Sequence, residues 1–104
     1  MIEVLDAIER WRAEGQRIAV ATVVAVEQSA PRDPGAVMTV NERGDVAGSV
    51  SGGCVESAVY EEAQDTIATG RPRLVTYGIS DADAISVGLT CGGTIHVFVE
   101  RLDW

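Results

Sequence analysis

The chain has 104 residues, enough for one domain spanning 1–104 that buries roughly two thirds of its unfolded surface, and too few for a second. Its formal charge of −8 at pH 7 argues against nucleic acid and anionic membrane surfaces as partners, because phosphate binding draws on a basic face that releases counterions. All eight basic residues are arginine, which removes Schiff-base chemistry, a lysine general base and the phosphate-loop lysine of nucleotide hydrolases.

Ile2, Leu5, Ile8 and Arg12, with Val4 and Trp11 alongside, recur at helical spacing, and Gly15 stands where a helix C-cap belongs. A helix over residues 2 to 14 is predicted. It is amphipathic and acidic, unlike a secretory signal, and the longest apolar run, Ile18 to Val26, is too short to cross a bilayer. A cytoplasmic protein with no membrane partner is expected, and in a reducing cytosol its two cysteines are expected as free thiols.

Residues 17 to 27 predict a strand with Ile18, Val20, Thr22, Val24 and Val26 on one face and Ala19, Ala21, Val23 and Ala25 on the other, both buried. The alanine face would let a helix lie close to the sheet, and the larger face would meet a second layer. Ser29-Ala30-Pro31-Arg32-Asp33-Pro34-Gly35 follows as a conformationally restricted loop. Residues 36 to 50 read as a β-hairpin turning at Asn41-Glu42-Arg43-Gly44.

Val55, Ala58, Val59, Ala63 and Ile67 then share a helical face that ends at Gly70, with Gly53 as the expected N-cap, Cys54 as the first helical residue and Glu56 as the third. Residues 73 to 79 form the next predicted strand, and Ser80 with Asp83 suits the start of a short helix. Thr94 to Arg101 closes the chain as a strand with Ile95, Val97 and Val99 on one face. The order predicts an α/β (α+β) fold: a two-layer sandwich in which helices pack on a mixed β-sheet of about five strands.

Two glycine pairs carry the chemistry. Gly48-Ser49-Val50-Ser51-Gly52-Gly53-Cys54 and Gly88-Leu89-Thr90-Cys91-Gly92-Gly93-Thr94 each set a thiol beside paired glycines, and these are the only cysteines. A strand that passes through Ser-Gly-Gly into a helix gathers unpaired N–H groups and the positive end of the helix dipole, which makes an anion site and lowers the pKa of a cysteine in the first turn. Glu56 opposes both effects. In the plainer reading the glycines only permit a tight turn and Cys54 is a small core residue. The spacing suits neither zinc nor a Cys-x-x-Cys redox pair, and His96, the only histidine, is expected as a half-buried or interface residue.

Three motifs together closely resemble the N-terminal domain of the XdhC/CoxI family of accessory proteins for molybdenum hydroxylases. They are Ser29 to Ala36, Gly48 to Glu56, and Gly88 to Gly93 followed by Val97-Phe98-Val99-Glu100; the resemblance runs from about Arg17 to Arg101. It implies a protein that binds the molybdenum cofactor (molybdopterin) while a terminal sulfur ligand is installed, then delivers it to an apo molybdenum hydroxylase such as xanthine dehydrogenase or carbon monoxide dehydrogenase. The Rossmann-like C-terminal domain common in the family has no counterpart in these residues, so NAD is not expected here.

The resemblance and the chemistry together imply site residues. Arg32, Ser49, Ser51, Gly52, Gly53, Cys54, Glu56, Cys91, Gly92 and Gly93 are the expected cofactor-binding set. Arg32 would supply positive charge and the backbone at Gly52 and Gly53 would hold a phosphate or oxo group. Cys54 and Cys91 would carry any thiol chemistry, Cys54 being the candidate molybdenum contact. Two alternatives stand beside this: a thiol-dependent sulfur-transfer enzyme, or a ligand-free interaction module that docks a separate Rossmann-domain subunit through Phe98, Leu102 and Trp104. A sulfurtransferase partner and a homodimer are compatible with both.

Overall fold

The computed structural model describes residues 2–27, 34–51, 55–78 and 94–102. Their elements run α1 (Ile2–Ala13), β1 (Ile18–Glu27), β2 (Val37–Asn41), β3 (Val46–Gly48), α2 (Glu56–Thr69), β4 (Arg73–Gly78) and β5 (Thr94–Arg101). The short helix expected after Ser80 lies outside the described residues.

The five described strands form one sheet in the order β3-β2-β1-β5-β4, as expected for an α+β fold. Every pairing among them is antiparallel, so the sheet is not the mixed one expected. The cause is strand order: β5 inserts between β1 and β4, so β3 and β4, joined through α2 and running the same way, never become neighbours.

The two predicted faces of β1 are recovered along its first half. Ala19, Ala21 and Val23 join Met38, Val40, Ile95, Val97 and Val99 beneath Val59, Ala63 and Ile67 of α2. Ile18, with Val20 and Val37 at its edge, meets Val4, Ala7, Ile8 and Trp11 of α1 on the opposite face. Each fully buried large aliphatic side chain in these clusters stabilises the fold by roughly 1.5–3 kcal/mol relative to exposure. The two helices therefore sit on opposite sides of the sheet, and the expected two layers gain a third over β1, β2 and β3.

Alternation then breaks at a bulge between Val23 and Ala25. Val24 is 50% exposed, and the extra residue flips the strand, so that Val26 faces the α2 core opposite Ile95. The expectation that Val24 and Val26 share the face of Ile18 is corrected on this ground. Two helix positions are corrected as well: Leu5 is 52% exposed and Ala58 is exposed, because the sheet accepts the narrower stripes Val4-Ala7-Ile8-Trp11 and Val59-Ala63-Thr66-Ile67.

The C-terminus of α1 is closed as its sequence suggests. Gly15, at φ +75°, donates to the Arg12 carbonyl at 3.0 Å, and Gln16 donates to the Trp11 carbonyl at 2.9 Å, the paired bonds of a left-handed helix stop. In the β2–β3 turn the buried Asn41 side-chain oxygen accepts from the backbone of Arg43 at 3.0 Å and Asp45 at 2.9 Å. That turn sends β3 back antiparallel to β2.

Candidate functional site

The register shows which way the strands that precede the three motifs run. Glu27 pairs with Thr94, and Thr94 with Gly78, so the exit of β1, the exit of β4 and the entry of β5 are level. Val37 pairs with Thr22 and Gly48 with Met38, so the entry of β2 and the exit of β3 face the same direction but stop level with Thr22 and Ala21, in the first half of β1. β1, β3 and β4, the strands that precede residues 28–33, 49–55 and 79–93, therefore all run the same way, away from the 42–45 turn. Antiparallel pairing across the sheet produces this shared direction. The strands that lead to the two cysteine motifs, β3 and β5, are three strand spacings apart, roughly 14 Å.

Arg32, Gly52, Gly53, Cys54, Cys91, Gly92 and Gly93 lie outside the described residues. Ser49, Ser51 and Glu56 lie within them and are brought together. Glu56 Oε2 accepts from Ser49 Oγ at 2.6 Å, from the Val50 N–H at 3.0 Å and from the Ser51 N–H at 2.9 Å. Glu56 Oε1 accepts from Ser51 Oγ, and Ser51 Oγ in turn accepts from the Val55 N–H at 2.9 Å. Burial works to raise the Glu56 carboxyl. The hydroxyls of Ser49 and Ser51 and the N–H groups of Ser51 and Val50 overcome it and hold the group at about 2.

Gly48 sets the approach to this cluster. Its φ of +82° is a left-handed conformation, and a Cβ there would collide with the Val37 carbonyl and come within 2.8 Å of Val4 Cγ2. The next residue, Ser49, donates its N–H to the Val37 carbonyl at 3.1 Å, which ties the exit of β3 to β2. The glycine here answers to packing between a strand and α1.

The expected helix start is corrected. Helix α2 begins at Glu56, with Val55 at the N-cap in a non-helical conformation (φ −129°, ψ 11°), and the Val55 carbonyl accepts the first helical bond from Val59 at 3.0 Å. Cys54 therefore precedes the helix, and Glu56 occupies its first position, where a carboxylate complements the dipole. At this register the carboxylate collects donors from Ser49, Val50 and Ser51, which follow β3. No local spacing rule in the sequence announces it.

His96 is half-buried, as expected, and engaged on both ring nitrogens: Nδ1 lies 2.9 Å from Thr76 Oγ1 and Nε2 lies 2.9 Å from Glu27 Oε2. Cross-strand pairing of β4, β5 and β1 assembles this trio, which the sequence did not reveal. With both nitrogens used, it is a poor metal ligand. Among the described residues no group of three or more His, Cys, Asp or Glu side chains is placed to hold a metal, and no helix is long and apolar enough to cross a membrane. A shallow depression between Asp65, Thr69, Arg71 and Arg73 lies at the opposite end of the sheet and contains none of the motif residues.

Five antiparallel strands with a helix on each face define a small α+β domain in which Ser49, Ser51 and Glu56 join the exit of β3 to the start of α2. The XdhC and CoxI family model matches residues 11–78, and the chain belongs to that family. It is 38% identical over 88 residues to the molybdenum cofactor insertion chaperone PaoD of Escherichia coli (strain K12), covering 85% of this chain and 27% of that protein. It is 39% identical over 101 residues to a probable xanthine dehydrogenase subunit from Bacillus subtilis (strain 168), covering 94% of this chain and 29% of that protein. The crystal structure of a xanthine dehydrogenase from Bacillus halodurans matches with a TM-score of 0.79 at 36% identity, over 94% of this chain and 30% of that one. The chain thus spans less than a third of the length of these relatives.

Proposed function

We propose that the chain takes part in molybdenum cofactor maturation, binding the cofactor through its three sequence motifs and passing it to an apo molybdenum hydroxylase. The observation that carries this reading is the match to the XdhC and CoxI family over residues 11–78, in a chain 38% identical to a molybdenum cofactor insertion chaperone. The described part of the site fits the cofactor in a specific way. Ser49, Ser51 and Glu56 satisfy one another, so the phosphate falls to other groups: the backbone at Gly52 and Gly53, the second glycine pair Gly92-Gly93, and Arg32. Arg32 supplies the positive charge that an acidic chain otherwise lacks, and Cys54 and Cys91 are the thiols nearest these glycines in sequence. When bound, the cofactor supplies a dithiolene-held molybdenum centre that exchanges a terminal ligand for sulfur. The chain's part is to hold it, and its further partners are a sulfurtransferase and a protein carrying a Rossmann domain.

The test is anaerobic titration with molybdopterin released from a donor molybdoenzyme, followed by gel filtration. Co-elution at about one cofactor per chain is expected. Failure to co-elute, while an established carrier protein binds in parallel, overturns the reading.

A further inference from the structure

Gly52, Gly53 and Cys54 are bracketed by a single hydrogen-bonded unit. Ser51, immediately before them, accepts through its hydroxyl from the N–H of Val55, immediately after them, and donates to Glu56. Glu56 also holds Ser49 and the N–H groups of Val50 and Ser51. The separation between the entry and the exit of these three residues is therefore set by the bracket. We propose that Glu56 is a positioning residue: it ties Ser51 and, through the Ser51 hydroxyl, Val55, the residues on either side of Gly52-Gly53-Cys54, to the start of α2, and does not itself touch the cofactor.

Two observations separate positioning from contact. Among the described residues the two carboxylate oxygens already accept four donors, as many as a carboxylate has lone-pair sites. A phosphate-bearing ligand placed against this carboxylate would meet a like charge, so direct contact would weaken binding. The bracket is also mounted on a rigid element, since α2 buries Val59, Ala63 and Ile67 in the main core. Affinity then benefits because less loop ordering is required when the ligand arrives. This deepens, and rests on, the reading of the glycine turn as part of the cofactor site.

The experiment compares wild type with Glu56→Gln and Ser51→Ala. Two readouts are taken on protein that circular dichroism shows to be folded. One is affinity for released molybdopterin; the other is the iodoacetamide rate at Cys54 relative to Cys91, read by peptide mass spectrometry. Positioning predicts that both variants lose about tenfold in affinity, the scale of one charge-assisted hydrogen bond, and that the Cys54 rate changes several-fold while the Cys91 rate stays put. Loss of affinity in Glu56→Gln with none in Ser51→Ala points to direct contact and overturns the proposal. So does an unchanged alkylation ratio in both variants. If wild type itself fails to bind molybdopterin, the cofactor reading falls, and the alkylation ratio alone decides the positioning role. If Glu56→Gln does not fold, Ser51→Ala and Ser49→Ala carry the test.

Discussion

Replacing Glu56 by glutamine keeps the shape of the side chain and removes its charge, so the variant and wild type should diverge in stability as a function of pH. The carboxyl sits at about 2 in the fold against an ordinary 4.5, burial being outweighed by the Ser49 and Ser51 hydroxyls and the Ser51 and Val50 N–H groups. Fully converted, that difference is about 3.4 kcal/mol. Because the carboxylate is only half-buried, solvent screening reduces it to about 1–2 kcal/mol. The folded value lies below the unfolded one. The contribution is therefore complete above about pH 4.5 and drains away as pH falls through about 2. Urea unfolding of both proteins from about pH 7 down to about pH 2 should show wild type ahead at neutral pH, with the gap narrowing by about 1–2 kcal/mol toward the acid end. A gap that stays constant across the range would show that the ionised form is not what the four donors stabilise.

Gly48→Ala should cost about 3 kcal/mol, from left-handed strain and collision with β2 and α1, and a loss below about 1 kcal/mol in chemical denaturation would refute the packing argument. Tyr77→Phe should leave stability unchanged or raise it by up to about 1 kcal/mol, because the buried Tyr77 hydroxyl has no hydrogen-bond partner among the described residues. A clear drop in Tm would show that the hydroxyl is satisfied. Arg32→Ala should weaken molybdopterin binding by roughly 1.5–3 kcal/mol with little effect on Tm; equal affinity in a binding titration would remove Arg32 from the site. Cys54→Ser should retain less cofactor through gel filtration than Cys91→Ser, and equal retention would leave Cys54 without a ligand role.

Periodicity and turn chemistry were legible in the linear chain because they depend on neighbours within a few residues. The 3.6-residue stripe of α1 with Gly15 behind it, the alanine and valine faces of early β1, the Asn41–Gly44 turn and the alternation of β5 all follow from local spacing. The motifs that mark the family were likewise legible, as residue types in order. Tertiary structure decided the rest. Strand order made the sheet antiparallel and aligned the strands that precede the three motifs in one direction, since which strands become neighbours depends on burial summed over the whole sheet. The bulge at Val23–Ala25 reversed the facing of Val26, a slip visible only against the partner β5. Glu56 looked like a charge working against an anion site; only the folded path from β3 to the start of α2 set the Ser49, Val50 and Ser51 donors around it. A carboxylate's role is set by which donors reach it, and for Glu56 they come from Ser49, Val50 and Ser51, between β3 and its helix.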